Sequence, residues 1–386
     1  MGRGVASKTS FDSARRARKI VSDTHVTKAA EQQAQLTGKL SHLVDPSHDP
    51  IRRSLMRFDP YTMPNGEMVW IVTIGSPMPV ESLVDTTGSM GNNVDLMMKY
   101  LPDSHGLIMM MLPGYDLQYA PGIFGDVSDR FVFQRGQFEM TAQKLVDILA
   151  NMVPERDGGD WTEDPHYGIF AGAYLTNTYI NRLGLKGYHF TVSDADTRTG
   201  YDLETLRRVF GNDVLEKVRE NADGNGGKIL TPSDIRTLDL REVVSDLQRR
   251  SHAFFIEIGY KAECWDDYYD REHMIQLSTT QYLPQAQAAI IGLCEGTLDI
   301  QEAKDFLIEN GMLGREASCL AEELRHIAIG AQEDLRRGLK YTLPQPGDLF
   351  RKKTDLLPFT SVSDLAREQV VNEAKMGASA DAVEWL

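Results

Sequence analysis

Short apolar segments alternate with longer amphipathic segments through the middle of this chain, from about residue 67 to residue 296. Such runs are typical of buried strands, and they occur in EMVWIVTIG, VESLVD, LQYAPGIFGD, RFVFQRGQF, GYHFTVSD, HAFFIEIGY and HMIQLS. Between most of them lie stretches with helical periodicity. One further run, GLIMMML, fits a buried strand and a buried helix equally well. The alternation predicts an α/β fold with a doubly wound, mostly parallel sheet and helices on both faces.

The flanking regions have a different pattern and define the expected domain organisation. Residues 1–60 contain helix-like segments rich in Ala, Gln, Arg and Lys, which predict a basic helical N-terminal extension. The α/β domain is expected over 61–296, with an insertion near 200–238 between its third acidic loop and the next helix. Two further helices are predicted within 297–340, and a Pro-punctuated extended tail within 341–386.

The charge of the chain is negative overall but unevenly distributed. The 386 residues carry a net charge of −15, whereas the first 60 residues carry eleven Lys or Arg against six Asp or Glu. A globally acidic protein binds nucleic acid and anionic membranes poorly without a dedicated site. The basic segment is therefore expected to contact the acidic body, a second copy of the chain in a homo-oligomer, or a partner.

The cysteine content and the apolar runs indicate a cytoplasmic protein. Cys264, Cys294 and Cys319 are scattered and odd in number, with no spacing that is typical of a metal site. Reduced thiols and a reducing compartment are therefore expected. No apolar run reaches the 18 residues that a membrane-spanning helix needs, and the N-terminus lacks the apolar core of a secretory signal.

The segment ESLVDTTGSMGNN places three oxygen-bearing side chains at every second residue where an apolar run ends. Asp85, Thr87 and Ser89 are these residues, and they precede a predicted helix. One interpretation is helix capping, because Asp, Ser and Thr are favoured at helix N-termini. The other interpretation is a set of ligands for a metal ion.

Two further acidic loops favour the metal interpretation. Asp160 lies in the segment GGDWTED before a predicted helix, and Asp194 follows a predicted strand in VSDADT. Because the carboxyl ends of parallel strands meet at one edge of a sheet, the three loops are expected to converge. Carboxylates and hydroxyls without His or Cys suit Mg²⁺, Mn²⁺ or Ca²⁺ rather than zinc. A divalent cation, most simply Mg²⁺, is the expected cofactor.

These motifs closely resemble the von Willebrand factor A (VWA) family and its metal-ion-dependent adhesion site, called MIDAS. The family motif Asp-x-Ser/Thr-x-Ser is matched by Asp85, Thr87 and Ser89. The second-loop motif GGD-x-x-E is matched by residues 158–163, and the third-loop acid by Asp194. The resemblance covers about residues 80–295 and implies a Rossmann-like VWA fold of the intracellular subtype.

The chain departs from the adhesion-receptor form of this family in the second loop. That form uses a Thr there, whereas this chain offers Asp160, with Thr162 as the less favoured ligand. A second carboxylate lowers the residual positive charge of the metal and weakens its attraction for an incoming acid. The insertion near 200–238 is also absent from the minimal family pattern.

The resemblance implies a protein without catalytic activity that docks an acidic residue of a partner on the metal ion. Intracellular relatives work beside AAA+ ATPases or beside kinases and phosphatases, so such a system is the expected partner. One alternative is an Mg²⁺-dependent enzyme acting on phosphate. Such an enzyme needs a nucleophilic Asp and a second Asp two residues later as general acid, but Thr87 occupies that second position after Asp85. The other alternative is a structural protein whose closed metal site only staples its loops.

Overall fold

The computed structural model of the chain describes residues 6–20, 22–155, 162–225, 227–259, 263–340 and 342–351. These residues divide into two units. The first unit contains Met1–Leu55 and Pro77–Leu339, and the second contains Met56–Ser76 and Lys340–Leu386.

The regular elements alternate between strand and helix through most of the first unit. The strands are β1 (Arg52–Ser54), β2 (Arg57–Thr62), β3 (Met68–Ile74), β4 (Pro77–Asp85), β5 (Asp116–Phe124), β6 (Phe133–Arg135), β7 (Thr162–Glu163), β8 (Thr176–Thr178), β9 (Gly187–Ser193), β10 (Asp196–Thr197), β11 (Ser251–Ile258), β12 (Met274–Leu277) and β13 (Leu349–Phe350). The helices are α1 (Lys8–Ala17), α2 (Lys28–Thr37), α3 (Asn93–Met111), α4 (Ala142–Ala150), α5 (Pro165–Tyr174), α6 (Tyr179–Arg182), α7 (Leu203–Phe210), α8 (Val214–Asn225), α9 (Pro232–Ile235), α10 (Leu240–Gln248), α11 (Leu283–Glu295), α12 (Ile300–Glu309), α13 (Gly314–Leu324) and α14 (Ala331–Arg337). Within the described part of the chain, none of these helices has the length and apolar content that crossing a membrane requires.

A mostly parallel six-stranded sheet forms the centre of the first unit, which has a mixed α/β architecture. Its strands lie in the order β12-β11-β9-β4-β5-β6. Neighbouring strands run parallel throughout, except that the short edge strand β6 runs antiparallel to β5. All nine residues of β4 are buried, as expected for a central strand that has neighbours on both sides.

Helices cover both faces of this sheet. Successive side chains of a strand point to opposite faces, so two consecutive residues of β4 identify what covers each face. Leu83 packs against Gly168 of α5, whereas Val84 lines a small cavity with Leu96 of α3 and Leu283 of α11. The apolar character of both residues therefore reflects burial on two sides.

The basic N-terminal segment is packed into the first unit rather than extending from it. Phe11 of α1 is fully buried and lies edge-on to His105 at 5.7 Å. Strand β1 pairs in parallel with β8. The guanidinium of Arg52 donates hydrogen bonds to the carbonyl oxygen of Arg135 and is buried. The sequence boundary at residue 60 therefore does not coincide with the boundary of a unit.

The second unit is built around a three-stranded antiparallel sheet. Strand β3 pairs with β2 and with β13, which brings residues near 350 beside residues near 70. The Ser76 hydroxyl donates a hydrogen bond to the carbonyl oxygen of Pro344, at 2.7 Å. A Cβ atom on Gly75 would lie only 2.3 Å from that carbonyl oxygen, so this close approach requires glycine.

Candidate metal centre

Asp85 ends the central strand β4, and both of its carboxylate oxygens accept hydrogen bonds. Oδ1 accepts from the backbone N–H of Thr87 at 2.8 Å and from its hydroxyl at 2.7 Å. Oδ2 accepts from the hydroxyl of Ser193 at 2.6 Å. Ser193 ends β9, the strand beside β4, so the parallel pairing of the two strands brings these side chains together. The carboxylate is fully buried and fixed in orientation.

Thr87 links Asp85 to the second acidic loop. Its side chain is almost fully buried, donates to Asp85 and lies near Glu163. Glu163 is also buried, and its Oε2 atom has no hydrogen-bond partner among the described residues. After Thr87 the chain forms a single 3₁₀ turn, Gly88–Met90, before α3 begins. Gly88 adopts a positive φ of 33° in that turn.

Backbone contacts hold the loops that follow the strands against one another. The Thr86 N–H donates to the carbonyl oxygen of Phe124 at the end of β5, at 3.2 Å. The Asp164 N–H donates to the carbonyl oxygen of Gly125 at 3.3 Å. Strand β7 of the second loop pairs in parallel with β10 of the third loop. The segments after β4, β5 and β9 thus form one cluster at the carboxyl edge of the sheet.

Arg198 supplies the positive charge of this cluster. Its Nη1 atom donates to Asp126 Oδ2 at 3.1 Å, to Asp164 Oδ2 at 2.6 Å and to the Thr162 carbonyl oxygen at 3.2 Å. Asp164 is fully buried, and its Oδ2 atom also accepts a hydrogen bond from the N–H of Val127. Arg198, which directly follows β10, therefore joins the loop after β5 to the two ends of β7.

Burial and crowding raise the pKa values of the acids in this cluster. Burial raises the pKa of Asp85 to about 6, against the stabilising hydrogen bonds from Ser193 and Thr87 and with a contribution from the charge of Asp194. Burial and the neighbouring charge of Asp85 raise the pKa of Glu163 to about 8. Burial raises the pKa of Asp164 to about 6 although Arg198 lowers it. These carboxylates lie close together without enough positive charge to balance them.

The structure brings three of the five sequence-predicted ligands to one edge of the sheet. Asp85 and Thr87 are in direct contact, and Asp194 is half-buried and close enough to raise the pKa of Asp85. Ser89 lies in the 3₁₀ turn, with its side chain outside the described part of the chain. Asp160 also lies outside the described residues.

Ser193, Glu163 and Arg198 are functional candidates that the predicted ligand set omits. Glu163 carried a sequence signal, because it completes the GGD-x-x-E motif. Ser193 stands directly before Asp194, but its contact with Asp85 depends on the pairing of β9 with β4. Nothing in the local sequence marks Arg198.

Hydroxyls and a few carboxylates, the donor types that a hard divalent cation takes, meet in this cluster. Among the described residues, no three His, Cys, Asp or Glu side chains are arranged so that they could hold a metal ion. Thr87 would contribute a hydroxyl and not a carboxylate, and Asp160 lies outside the described residues. The Oε2 atom of Glu163 is buried without a hydrogen-bond partner among the described residues, and this is the feature of the cluster that an added ligand atom or cation would satisfy.

Comparisons with known proteins assign no family to the chain. No family model matches it, and no curated protein matches it. Two structures of the pilus adhesin SpaC from Lactobacillus rhamnosus GG, one in the open conformation, align with 65% and 62% of this chain at 11% and 12% identity. Both have a TM-score of 0.34, and the chain spans about a third (34%) of the length of those adhesin chains.

Proposed function

We propose that this chain is a VWA-type module that holds a divalent cation at the carboxyl end of β4 and docks an acidic residue of a partner protein there. The observation that carries the proposal is the convergence of Asp85, Thr87, Glu163 and Ser193, all buried, at one edge of a parallel sheet. Asp194 adjoins them on the neighbouring strand.

The strand order supports the doubly wound arrangement in this proposal. Counted along the chain, the six strands of the sheet stand in the spatial order 3-2-1-4-5-6, in which the first strand is β4 and the fourth is β9. In doubly wound sheets the order in which successive strands are added to the sheet reverses between these two parallel strands, and ligands bind in the crevice that results. Asp85 and Ser193 end these two strands.

The residues that would hold the cation are Asp85 and Thr87, together with the sequence-predicted Ser89, Asp160 and Asp194. A bound Mg²⁺ supplies positive charge and, where protein ligands leave a coordination position open, a place for an incoming carboxylate. Ser193 and the N–H of Thr87 fix the orientation of the Asp85 carboxylate. They also favour its ionised form, which is the form that binds metal.

Docking is favoured over a closed stapling site because the cluster has an exposed side. Gly88 is exposed and Asp194 is half-buried, whereas Asp85 beneath them is fully buried. A cation held by buried oxygens below and facing solvent above can accept a ligand from another molecule. A phosphate-processing enzyme of the kind with paired aspartates has less support, because Thr87 and not Asp stands two residues after Asp85.

Water-proton relaxation with Mn²⁺ in place of Mg²⁺ tests this function. Bound Mn²⁺ with an open position keeps exchanging water, so relaxation enhancement is expected with the wild type. An acidic peptide or acetate should reduce the enhancement by displacing that water. The Asp85→Asn variant should bind no Mn²⁺, and the exposed Asp196→Asn variant provides a matched control on the same edge. A tightly bound Mn²⁺ without exchanging water would establish stapling instead of docking. Turnover of a phosphate monoester that requires Asp85 would establish an enzyme.

A further inference from the structure

A groove of about 530 Å³ lies in the first unit between the segment after α2 and the segment leading into β6. Its volume is in the range of sites for small molecules. The floor is apolar, because Val132 and Phe133 are buried there. None of the residues that line the groove belongs to the acidic cluster around Asp85, and the interpretation of the groove does not depend on a metal ion.

The rim of this groove is cationic in a protein that is acidic overall. The residues that line the rim include Lys39, His42, His48, Arg130 and Arg208. We call this cavity the basic groove. The whole chain carries a net charge of −15, so three permanent cations around one cavity run against the general balance. Asp45 is the acidic residue of the lining. Its Oδ1 atom already accepts hydrogen bonds from the Ser47 N–H at 2.8 Å and the Ser47 hydroxyl at 2.7 Å.

Two of the cations are available for an external anion. Within the described ranges, neither Lys39 nor Arg130 forms an ion pair with a carboxylate. The guanidinium of Arg130 lies against Gly38, where a Cβ atom would stand only 2.7 Å from Nη2, so glycine at this position admits it. Gly38 ends α2 with a positive φ of 74°, which glycine adopts without strain. Arg208 is oriented by a hydrogen bond from its Nη2 to the Val127 carbonyl oxygen at 2.6 Å.

We propose that the basic groove binds a small molecule that carries two or more linked phosphate groups. Arginine presents a planar fork of donors that matches phosphate oxygens, and lysine adds a point charge. Linked phosphates carry more charge and more acceptor oxygens than a single phosphate, so they can engage more of the three cations that line the groove. The half-buried side chains of Leu40 and Phe131 in the lining suit an uncharged part of such a molecule.

Calorimetric titration of the full chain with inorganic pyrophosphate tests this site directly. The protein is first freed of divalent cations on a chelating resin, so that the metal centre cannot contribute. We expect saturable binding of one pyrophosphate per chain, with inorganic phosphate at least about tenfold weaker, because it engages fewer cations. Absence of saturation at low salt, or equal binding of phosphate and pyrophosphate, would overturn the proposal.

Substitutions in the groove locate the binding. Arg130→Gln and Lys39→Gln should each weaken pyrophosphate binding about tenfold, as expected when one charge-assisted hydrogen-bonding group is removed. Both side chains are exposed, so the melting temperature should stay within a degree or two of the wild type. Arg315→Gln on α13 removes an equally exposed charge elsewhere and should leave binding unchanged. Wild-type affinity in both groove variants would place the anion elsewhere and refute the assignment.

Discussion

Replacing Glu163 by Gln tests whether the acidic cluster lacks a cation. Burial and the charge of Asp85 raise the pKa of Glu163 from 4.5 to about 8. The folded protein therefore binds a proton here that the unfolded chain has lost, over the window between about pH 4.5 and pH 8. The contribution of this proton to the free energy of unfolding is fully present below this window and is lost as the pH rises through it. Gln resembles the protonated acid in shape and does not titrate.

The size of the effect follows from the shift in pKa. One pKa unit corresponds to about 1.4 kcal/mol, so the full shift of Glu163 sets an upper limit of roughly 5 kcal/mol. Because the titrations of Glu163 and Asp85 are coupled, the cost of ionising Glu163 is shared between the two groups. Near pH 8 the free energy of unfolding of Glu163→Gln should therefore exceed that of the wild type by about 2–3 kcal/mol. Near pH 5 the two proteins should differ by less than about 1 kcal/mol, because Glu163 is then protonated.

Calorimetric melting of metal-free protein at several pH values measures this difference. The variant should melt several degrees above the wild type at pH 8 and close to it at pH 5. Glu309→Gln, an exposed change on α12, is the matched control and should follow the wild type at every pH. Saturating Mg²⁺ should reverse the order at pH 8, because it stabilises the ionised wild-type site more than the variant. A variant that is less stable than the metal-free wild type at pH 8 would refute this reasoning.

Three further changes test the surroundings of the site and the role of the N-terminal segment. Arg198→Gln leaves the buried Asp164 carboxylate without its charge partner. Because Arg198 is itself partly exposed, the free energy of unfolding measured in urea should fall by about 1–2 kcal/mol. This loss should shrink below pH 5, where Asp164 is protonated. Gly125→Ala places a Cβ atom 2.3 Å from Asp129 Oδ2, so this carboxylate must move off the Asp126 N–H that it accepts from. Loss of that hydrogen bond should cost about 1 kcal/mol and weaken metal binding in a calorimetric titration. Deletion of residues 1–55 should remove the cooperative melting transition, since burial of one Phe alone accounts for about 3–5 kcal/mol; a truncated protein with a wild-type transition would show that the segment is dispensable.

The sequence identified the parallel part of the fold because burial on two faces leaves a local signal. The apolar segments predicted over 80–85, 117–126, 187–194 and 252–260 overlap β4, β5, β9 and β11 of the central sheet. Each is short, rich in residues that favour strands and bounded by Gly or Asp. Such features do not depend on which strand lies beside which.

Other parts of the fold depend on pairing partners, which local periodicity cannot specify. The segment EMVWIVTIG was predicted within the alternating series, but β3 (Met68–Ile74) belongs to the antiparallel sheet of the second unit. The run GLIMMML continues α3, which extends over nineteen residues to Met111. Of the predicted tail, residues 342–351 contribute β13, and the residues after 351 lie outside the described part.

The candidate site divides in the same way between local and tertiary information. Asp85 and Thr87 belong to one short motif, so their contact could be expected from spacing alone. Ser193 reaches Asp85 only because β9 lies beside β4, and Arg198 reaches Asp164 only because β7 and β10 pair. Residues that complete a site through strand pairing carry no mark in a single sequence.

Calorimetric titration of Mg²⁺ into the wild type and into Asp85→Asn tests the central claim most directly. Asn keeps the shape of the side chain and can still accept a hydrogen bond from Thr87, but it removes the buried negative charge. The account predicts one saturable site in the wild type, tighter at pH 8 than at pH 6 because protons compete for Asp85 and Glu163. It predicts no binding by Asp85→Asn, although this variant should be at least as stable as the metal-free wild type. Equal Mg²⁺ affinity in the two folded proteins, or no binding by the wild type at either pH, would contradict the assignment of a metal centre at the end of β4.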